Sequence, residues 1–167
     1  EPVLEGGQVV QLMGVVQDIS AIRRADATIQ QQASFDTVTG LPNRNLFSDR
    51  VQQALQIAER DQRQLAILFI DLDHFKDIND SLGHGVGDAL LAEIGRRVSS
   101  EVRSSDTIAR LGGDEFTVLL DGTQGSHYFN MIAQRLLAAA QRPVMVGDHQ
   151  VFTSASIGVT FYPEDGQ

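Results

Sequence analysis

The chain has 167 residues, no cysteine, and a formal net charge of -9 with an isoelectric point near 4.7. This length allows one domain of roughly 130 residues with an attached segment, and the missing cysteines exclude disulfide and thiolate chemistry. The acidic balance argues against binding to nucleic acid or to a membrane surface, although a metal ion can still bring an anionic nucleotide to acidic residues. No apolar run approaches the ~20 residues of a membrane helix, so we expect a cytoplasmic location, although a parent protein could itself be membrane-attached.

The first part of the chain predicts one strand followed by a helix. After a glycine turn at Gly6–Gly7, the run Val9–Val16 has the apolar character of a strand. Asp18 and Ser20 are candidate N-caps for a helical segment at 21–35. The apolar positions of that helix form a thin seam, which fits both a solvated linker and a helix that pairs in a dimer.

Six consecutive apolar residues, Leu65–Ile70, predict a buried strand that ends in acidic residues. The period of two puts Asp71 and Asp73 on one side of this strand and Leu72 on the other. Residues at the end of a buried strand emerge at a sheet edge, where binding sites are common. Their carboxylates are either hard oxygen ligands for Mg²⁺ or simply solvated charges at a strand end.

A second acidic cluster lies in a predicted hairpin. Gly112 and Gly113 are flanked by short apolar runs, a pattern typical of two strands joined by a tight turn. Glycine tolerates the positive φ of such a turn and lets another molecule approach the backbone. Asp114 and Glu115 follow at once, which fits either a solvated acidic tip or, together with Asp71, a metal site.

The remaining apolar periodicities predict helices packed on a sheet. The predicted elements are helices at 45–61, 75–79, 88–102 and 126–141, a glycine-rich loop at 83–88, the hairpin at 107–120, and strands at 144–146 and 151–161 around a Gly147–Asp148 turn. This order is that of an α+β domain with a mixed, largely antiparallel central sheet flanked by helices.

Three motifs in this order resemble the GGDEF family of diguanylate cyclases: DTVTGLPNR at 36–44, FIDLDHFKDINDSLGHGVGD at 69–88 and RLGGDEF at 110–116. A lone GGDEF would be a weak signal, whereas the three together are highly specific. The resemblance implies a palm-like fold with the GGDEF turn on a central hairpin. Residues 1–20 resemble the C-terminal end of a PAS-type sensor domain, so the implied organisation is a sensor end at 1–20, a linker helix at 21–35 and a GGDEF domain at 36–167.

The resemblance also implies a Mg²⁺ site, with Mn²⁺ as the alternative ion. Its ligands would be the carboxylates of Asp71 and Asp114 and the carbonyl of Leu72. Glu115 matches the residue usually assigned to take the proton of the attacking ribose 3′-hydroxyl, although it could instead be a second metal ligand. Lys76 matches the family lysine that meets the phosphates and stabilises charge in the transition state.

Substrate contacts are implied for a further group of residues. Asn79 and Asp88 match the residues that read the guanine edge, because an amide and a carboxylate complement its donors and acceptors. Helix capping is the alternative for both. The other expected contacts are the loop residue His84, the backbone amides of Asp73, His74 and Phe75, and the turn glycines Gly112 and Gly113.

Arg103 and Asp106 match the RxxD site at which product inhibits members of this family. The guanidinium can fork onto a guanine or a phosphate, and the carboxylate can accept from guanine N–H groups. Without the surrounding motifs, this pair would be an ordinary set of charges at the end of a helix.

The function implied by the resemblance is condensation of two GTP into cyclic di-GMP with release of pyrophosphate. Two GTP-loaded sites must face each other, which predicts a homodimer. The alternative is a noncatalytic module that binds GTP or cyclic di-GMP and regulates a neighbouring EAL-type phosphodiesterase domain. Two departures bear on activity. Val38 replaces the usual leucine, and the family domain continues past Gln167 into a helix whose lysine and arginine meet the phosphates, which leaves the activity of this fragment open.

Overall fold

The structure, a computed structural model, describes residues 2–5, 8–12, 18, 33–121 and 126–166. Contacts between residues divide the chain into two units, Glu1–Gln31 and Gln32–Gln167. The predicted Gly6–Gly7 turn and nearly all of the predicted linker helix at 21–35 lie outside the described residues.

The described part of the first unit is a pair of strands. β1 (Pro2–Glu5) is antiparallel to β2 (Gln8–Leu12). The strand predicted from Val9 is confirmed up to Leu12. The expectation of a single strand was wrong, because the residues at the start of the chain supply a hydrogen-bonded partner.

The second unit contains the four helices predicted after residue 44 and the predicted hairpin, with shifted boundaries. Its elements are α1 (Arg44–Asp61), β3 (Leu65–Asp73), α2 (Phe75–Leu82), α3 (His84–Glu101), β4 (Thr107–Gly112), β5 (Glu115–Asp121), α4 (Ser126–Ala140), β6 (Val144–Val146), β7 (His149–Val151) and β8 (Ser154–Tyr162). Within the parts of the chain that the structure describes, no helix has the length and apolar character needed to cross a membrane.

The central sheet has four strands in the order β4-β5-β3-β8. Each neighbouring pair in it is antiparallel, and β6 and β7 form a separate small hairpin. The register between β3 and β5 places Asp71 opposite Glu115. The predicted α+β fold, with a largely antiparallel sheet flanked by helices, is confirmed.

One face of the sheet carries the main hydrophobic core. The period of two along β3 directs Leu68, Ile70 and Leu72 into this core, where each is at most 1% exposed. Side chains from α3 and α4 complete it, among them Ile94 and Leu136. Burial of one such side chain contributes about 1.5–3 kcal/mol, so the core holds the acidic end of β3 in a defined place.

The opposite face of the sheet packs against α1. Asn43 caps this helix, since its side-chain oxygen accepts hydrogen bonds from two backbone N–H groups of the first turn at 3.0 and 3.1 Å. Phe47, Leu65 and Leu119 meet in a second, smaller apolar cluster on this side. Asp71 lies an even number of residues from Leu65 along β3, so its side chain projects from the same face as α1.

Two predicted elements differ from the structure. The prediction of a loop over 83–88 was wrong, because only Gly83 separates α2 from α3, which begins at His84. Gly83 has a φ of 87°, a conformation that ends α2 and that glycine adopts without strain. The predicted strand 151–161 is two strands, because the chain changes partner at Phe152–Thr153: β7 pairs with β6, whereas β8 pairs with β3.

Candidate active site

Two glycines with positive φ shape the turn between β4 and β5. Gly112 has a φ of 139° and Gly113 a φ of 56°, conformations that residues with a Cβ rarely adopt. A Cβ at either position would meet no atom within 4 Å, so the backbone conformation, and not a lack of space, requires glycine here. The same open space leaves the backbone of the turn accessible to a ligand.

Three carboxylates lie near one another where this turn meets the end of β3. Asp71 is directly opposite Glu115 in the antiparallel register, and Asp114 precedes Glu115 in the turn. The pKa of Asp71 lies above its ordinary value, first because of partial burial and then because of the negative charges of Asp114, Glu115 and Asp73. This end of the sheet therefore concentrates negative charge.

A cleft of about 610 Å³ adjoins these carboxylates. Asp71 and Glu115 line it together with Arg44, Phe69 and Ser156. Ser156 of β8 is opposite Asp71 in register, so three neighbouring strands contribute polar side chains to one face. The volume falls within the roughly 300–1,000 Å³ range typical of small-molecule sites.

The donor groups of this cleft fit a hard divalent cation such as Mg²⁺. Asp71, Asp114 and Glu115 offer carboxylate oxygens. Desolvation is the first cause of the raised pKa of Asp71, and the negative charges of Asp114 and Glu115 add to it, a repulsion that a cation would relieve. Among the residues that the structure describes, no three acidic or histidine side chains are close enough together to hold a metal by themselves. Mg²⁺ typically takes one or two protein carboxylates and completes its shell with water and substrate phosphates.

Arg110 ties the glycine turn to the segment that precedes α1. Its guanidinium donates to the Gly113 carbonyl from Nε at 3.0 Å and from Nη2 at 2.7 Å. Its Nη1 donates to both carboxylate oxygens of Asp36, at 2.9 and 3.0 Å. Arg110 is only 9% exposed, so these charge-assisted bonds are largely shielded from water. The arginine thereby fixes the backbone directly before Asp114.

Asp36 is in turn held by its own neighbours. Thr39 donates to its carboxylate from the backbone N–H at 2.8 Å and from the hydroxyl at 2.7 Å. Burial raises the pKa of Asp36, but hydrogen bonds from Thr39 and Arg110 outweigh this effect, and the pKa lies below its ordinary value. Asn43 joins the end of this segment to the residues before it, donating from its backbone N–H to the Ser34 carbonyl at 2.9 Å. The DTVTGLPNR segment and the glycine turn therefore form one hydrogen-bonded assembly.

Asp73 has a structural contact that the sequence analysis did not predict. Its carboxylate accepts hydrogen bonds from the hydroxyls of Ser154 at 2.6 Å and Ser156 at 2.9 Å, and these bonds lower its pKa. His74 follows with a φ of 61°, which is uncommon for a residue other than glycine. Phe75 then begins α2, so the backbone amides predicted to meet phosphate do lie at the start of a helix.

The junction between α2 and α3 contains Asn79, one of the two residues expected to read guanine. Its side-chain oxygen is buried and has no hydrogen-bond partner among the described groups. A buried amide oxygen without a donor is costly. Gly87 leaves the space that Asn79 occupies, because a Cβ there would collide with the Asn79 oxygen and crowd the ring of Phe75.

Asp88 is not a helix cap. Because α3 begins at His84, Asp88 lies a full turn inside the helix, and the capping alternative for this residue was wrong. Asn79 lies inside α2 and does not cap it either. Asp88, His84 and Lys76 are all exposed. Within the described residues no hydrogen bond or ion pair joins these three to the carboxylates of the cleft, so their ligand contacts stay predictions.

The predicted product site lies at the other end of β4. Asp106 is 8% exposed, and its Oδ2 accepts hydrogen bonds from the Arg103 backbone N–H at 3.0 Å and from the Tyr128 hydroxyl at 3.1 Å. The Arg103 guanidinium lies 4.5 Å from the centre of the Tyr128 ring, within the range of a cation–π contact. A tyrosine of α4 thus contacts both residues of the motif.

Three residues contribute to these sites in ways that were not predicted. Arg110 was visible beside the glycine pair, but its partner Asp36 is 74 residues away. Gly87 lies in the run predicted as a loop. If a helix had been predicted there, a glycine inside it would have indicated a close contact with a neighbouring side chain. Tyr128 lies on a helix whose apolar spacing was attributed to the core, and no local signal links it to Asp106.

Comparison with known proteins identifies relatives of the chain. Residues 33–167 match the family model described as diguanylate cyclase, GGDEF domain. The chain is 45% identical over 148 residues to the bifunctional diguanylate cyclase/cyclic di-GMP phosphodiesterase MucR of Pseudomonas aeruginosa, which covers 89% of this chain and 22% of MucR. It is 45% identical over 140 residues to the diguanylate cyclase TpbB of the same species, which covers 83% of this chain and 32% of TpbB. The chain therefore spans about a fifth to a third of the length of these relatives.

Solved structures share the fold. The GGDEF domain of Pseudomonas aeruginosa TpbB aligns with a TM-score of 0.76 and 45% identity, over 79% of this chain and 78% of that one. A sensory box/GGDEF family protein from Caulobacter crescentus aligns with a TM-score of 0.75 and 40% identity, over 80% of this chain and 86% of that one. The arrangement of sheet and helices described above is thus that of known GGDEF domains.

Proposed function

The chain belongs to the GGDEF family of diguanylate cyclase domains, and we propose on that premise that it condenses two GTP into cyclic di-GMP with release of pyrophosphate. The observation that carries the proposal is the meeting of Asp71, Asp114 and Glu115 beside one cleft. Phosphoryl chemistry on a triphosphate needs such a site, because divalent cations must offset the charge of the phosphates. The names of MucR and TpbB, both diguanylate cyclases, support the same activity.

The acidic residues divide the proposed work. Asp71 and Asp114, with the carbonyl of Leu72, would hold Mg²⁺ or Mn²⁺. When bound, the ion would neutralise phosphate charge and polarise the α-phosphate. Glu115 would accept the proton of the ribose 3′-hydroxyl or serve as a further ligand. Lys76, exposed in the first turn of α2, would contact the phosphates from the other side.

Guanine selection is proposed for the junction of α2 and α3. The partnerless oxygen of Asn79 supports this role, because guanine carries the N1–H and N2–H₂ donors that such an oxygen lacks. Asp88 would accept from the same edge, and exposed His84 would contact the nucleotide. Adenine presents a donor where guanine presents an acceptor, so ATP would leave buried polar groups unpaired.

Catalysis is proposed to require two copies of the chain. Each protomer would hold one GTP, and each 3′-hydroxyl would attack the α-phosphate held by the partner, which a two-fold homodimer allows. We also propose that residues 1–20 end a PAS-type sensor domain and that 21–35 link it to the catalytic domain. The sensory box named for the Caulobacter crescentus relative supports this organisation. Because GTP is the substrate, the proposed location is the cytoplasm, with no nucleic acid or direct membrane partner.

The test is product formation from purified protein incubated with GTP and Mg²⁺, followed by chromatography. We expect cyclic di-GMP with GTP, none with ATP, and none when a chelator removes the metal. Calorimetry run in parallel should show that GTP binds at least about tenfold more tightly than ATP. Absence of product at concentrations where the protein is dimeric and GTP is bound would contradict the catalytic proposal.

A second candidate function is regulation without catalysis. The name of MucR joins a cyclase and a phosphodiesterase activity in one protein, so a GGDEF domain can occur beside a phosphodiesterase. In that case GTP or cyclic di-GMP would bind this chain and alter the activity of a neighbouring EAL-type domain. GTP binding without turnover, together with a GTP-dependent phosphodiesterase rate in the parent protein, would favour this candidate.

Product feedback is the remaining part of the proposal. Arg103 and Asp106 would bind cyclic di-GMP and inhibit the enzyme by favouring an arrangement in which the active sites are apart. A ligand shifts such an equilibrium only by its difference in affinity for the two states. The proximity of the two side chains, joined through Tyr128, supports a binding site at this turn.

A further inference from the structure

We propose that Tyr128 is a positioning residue of the site formed by Arg103 and Asp106, which it holds ready for a planar, anionic guanine nucleotide. This inference rests on the proposed product site, since cyclic di-GMP is the ligand considered. Tyr128 lies in the first turn of α4 and is 5% exposed. It follows Asp106 by 22 residues, so the helix brings it to the motif from elsewhere in the chain.

The hydroxyl of Tyr128 acts on Asp106. It donates to Oδ2 at 3.1 Å, and the same oxygen accepts from the Arg103 backbone N–H at 3.0 Å. Two donors on one oxygen restrict rotation of the carboxylate. None of the hydrogen bonds described for Asp106 uses Oδ1. Oδ1 is therefore placed to accept from the N–H groups of a guanine.

The ring of Tyr128 acts on Arg103. The guanidinium lies 4.5 Å from the ring centre, whereas cation–π contacts extend to about 6 Å. Arg103 is exposed, whereas the ring it lies against is buried in the main core, so the charge lies on a fixed surface. Stacking limits the rotamers that the arginine samples, which reduces the entropy lost when a phosphate or a base binds it.

The environment of Tyr128 suits this role. Burial, and then the charge and hydrogen bond of Asp106, raise the pKa of its hydroxyl, so the group stays protonated and remains a donor at neutral pH. The ring also packs near Phe129, with the ring centres 6.3 Å apart. One side chain thus orients the acceptor for the base and the cation for the phosphate at the same time.

Binding of cyclic di-GMP to the 167-residue protein, measured by calorimetry, tests the proposal without requiring turnover. Tyr128→Phe keeps the ring and removes the hydroxyl, Tyr128→Leu removes both, and Arg103→Ala is the reference for loss of the site. Tyr162→Phe, at the only other tyrosine of the chain, is the matched control. We expect the dissociation constant to rise about three- to tenfold in Tyr128→Phe and more than about tenfold in Tyr128→Leu. Tyr162→Phe should bind like the wild type, and GTP affinity should stay unchanged in all variants.

Two further measurements separate positioning from a general structural role. If Tyr128 acts through Asp106, then Tyr128→Phe should weaken binding less in an Asp106→Asn background than alone, because the two changes share one interaction. NMR of protein labelled with ¹³C in the tyrosine rings should show two ring environments, assigned with Tyr162→Phe. Cyclic di-GMP should shift the Tyr128 signals and leave those of Tyr162 in place.

The outcomes distinguish this inference from the product site on which it rests. If the wild type binds cyclic di-GMP and both Tyr128 variants bind equally well, the inference is overturned while the product site stands. Loss in Tyr128→Leu with wild-type affinity in Tyr128→Phe would contradict the part assigned to the hydroxyl. If the wild type binds no better than Arg103→Ala, the product site is wrong and the inference fails with it. Should Tyr128→Leu melt at a much lower temperature, Tyr128→Phe alone decides the result.

Discussion

The two ends of β4 both carry acidic residues, but their surroundings are opposite. Asp106, directly before β4, is buried, and its carboxylate accepts two hydrogen bonds. After the last residue of β4, Asp114 and Glu115 stand near Asp71 and help to raise its pKa. The fold satisfies the charge at one end and accumulates charge at the other. This accumulation is where we propose that a bound cation restores the balance.

The largest effect on turnover should come from removing the charge of Asp114, at the end of β4 where negative charge accumulates. Asp114→Asn should lower cyclic di-GMP formation by at least about a hundredfold, because the variant loses a metal ligand. Its unfolding free energy should change by less than about 0.5 kcal/mol, since the residue lies on a turn and contributes little packing. The measurements are chromatography of the product and thermal melting. Asp148→Asn, on the exposed turn between β6 and β7, is the control, and equal product from the two variants would refute the role of Asp114.

The next largest effect should come from the Arg110–Asp36 clamp, in which the arginine bonded to Asp36 also holds the Gly113 carbonyl of this turn. Arg110→Met removes the bonds to Gly113 and Asp36, and we expect a loss of about 2 kcal/mol, less than for a fully buried pair. Turnover should fall about tenfold, because the residue before Asp114 is no longer held in place. Denaturant unfolding and product formation measure the two effects. Arg60→Met, which breaks an exposed ion pair of the same kind, should leave both unchanged.

The pH dependence of that loss identifies its source. Hydrogen bonds from Thr39, and then the hydrogen bond and charge of Arg110, hold the pKa of Asp36 in the folded protein below its ordinary value of 3.8, so the stability that Arg110 contributes through this carboxylate is present above about pH 4. This contribution is lost as the pH falls through the folded-state pKa. The gap in unfolding free energy between the wild type and Arg110→Met should therefore narrow between pH 5 and pH 2. A gap that stays constant across this range would show that packing, and not the ion pair, is responsible.

A smaller effect is expected at the guanine end of the cleft. A Cβ on Gly87 would collide with the Asn79 oxygen, so Gly87→Ala should displace that side chain and weaken GTP binding about tenfold. Gly85→Ala is a matched control on the same helix, because a Cβ there meets no atom within 4 Å. Alanine favours the helix at both positions, so stability should not fall in the control. Equal GTP affinity of the two variants in calorimetry would show that Asn79 does not contribute to GTP binding.

The smallest effect should appear at Asp71, where the charges repel. Asp71→Asn should raise the melting temperature of the metal-free protein at pH 7 by about 2 °C, because it removes one of the mutually repelling carboxylates. The raised pKa sets the sign: the wild type loses stability as the pH rises through the folded-state pKa of Asp71, and the variant does not. The advantage should vanish below the ordinary pKa and shrink when Mg²⁺ is added. A lower melting temperature for the variant at pH 7 would contradict the repulsion.

Much of the fold and part of the site could be predicted from the sequence because their signals are local. The apolar run before Asp71 predicts a buried strand by its length, and the period of two places Asp71 and Leu72 on opposite faces. The Gly112–Gly113 pair predicts the hairpin because only glycine adopts such φ values without strain. The helix start at His84 was missed for the same local reason, since glycines close to it suggest a loop until packing supports a helix.

Sequence alone therefore determined which residues carry charge, that Asp71 follows a buried strand and which family the motifs resemble. Only the tertiary structure decided what those residues touch. The Arg110–Asp36 clamp and the Asp73–Ser154 bond join residues 74 and 81 positions apart, and Tyr128 reaches Asp106 across 22. Such contacts depend on strand register and helix packing, which are set by the whole core and leave no periodic pattern around either partner.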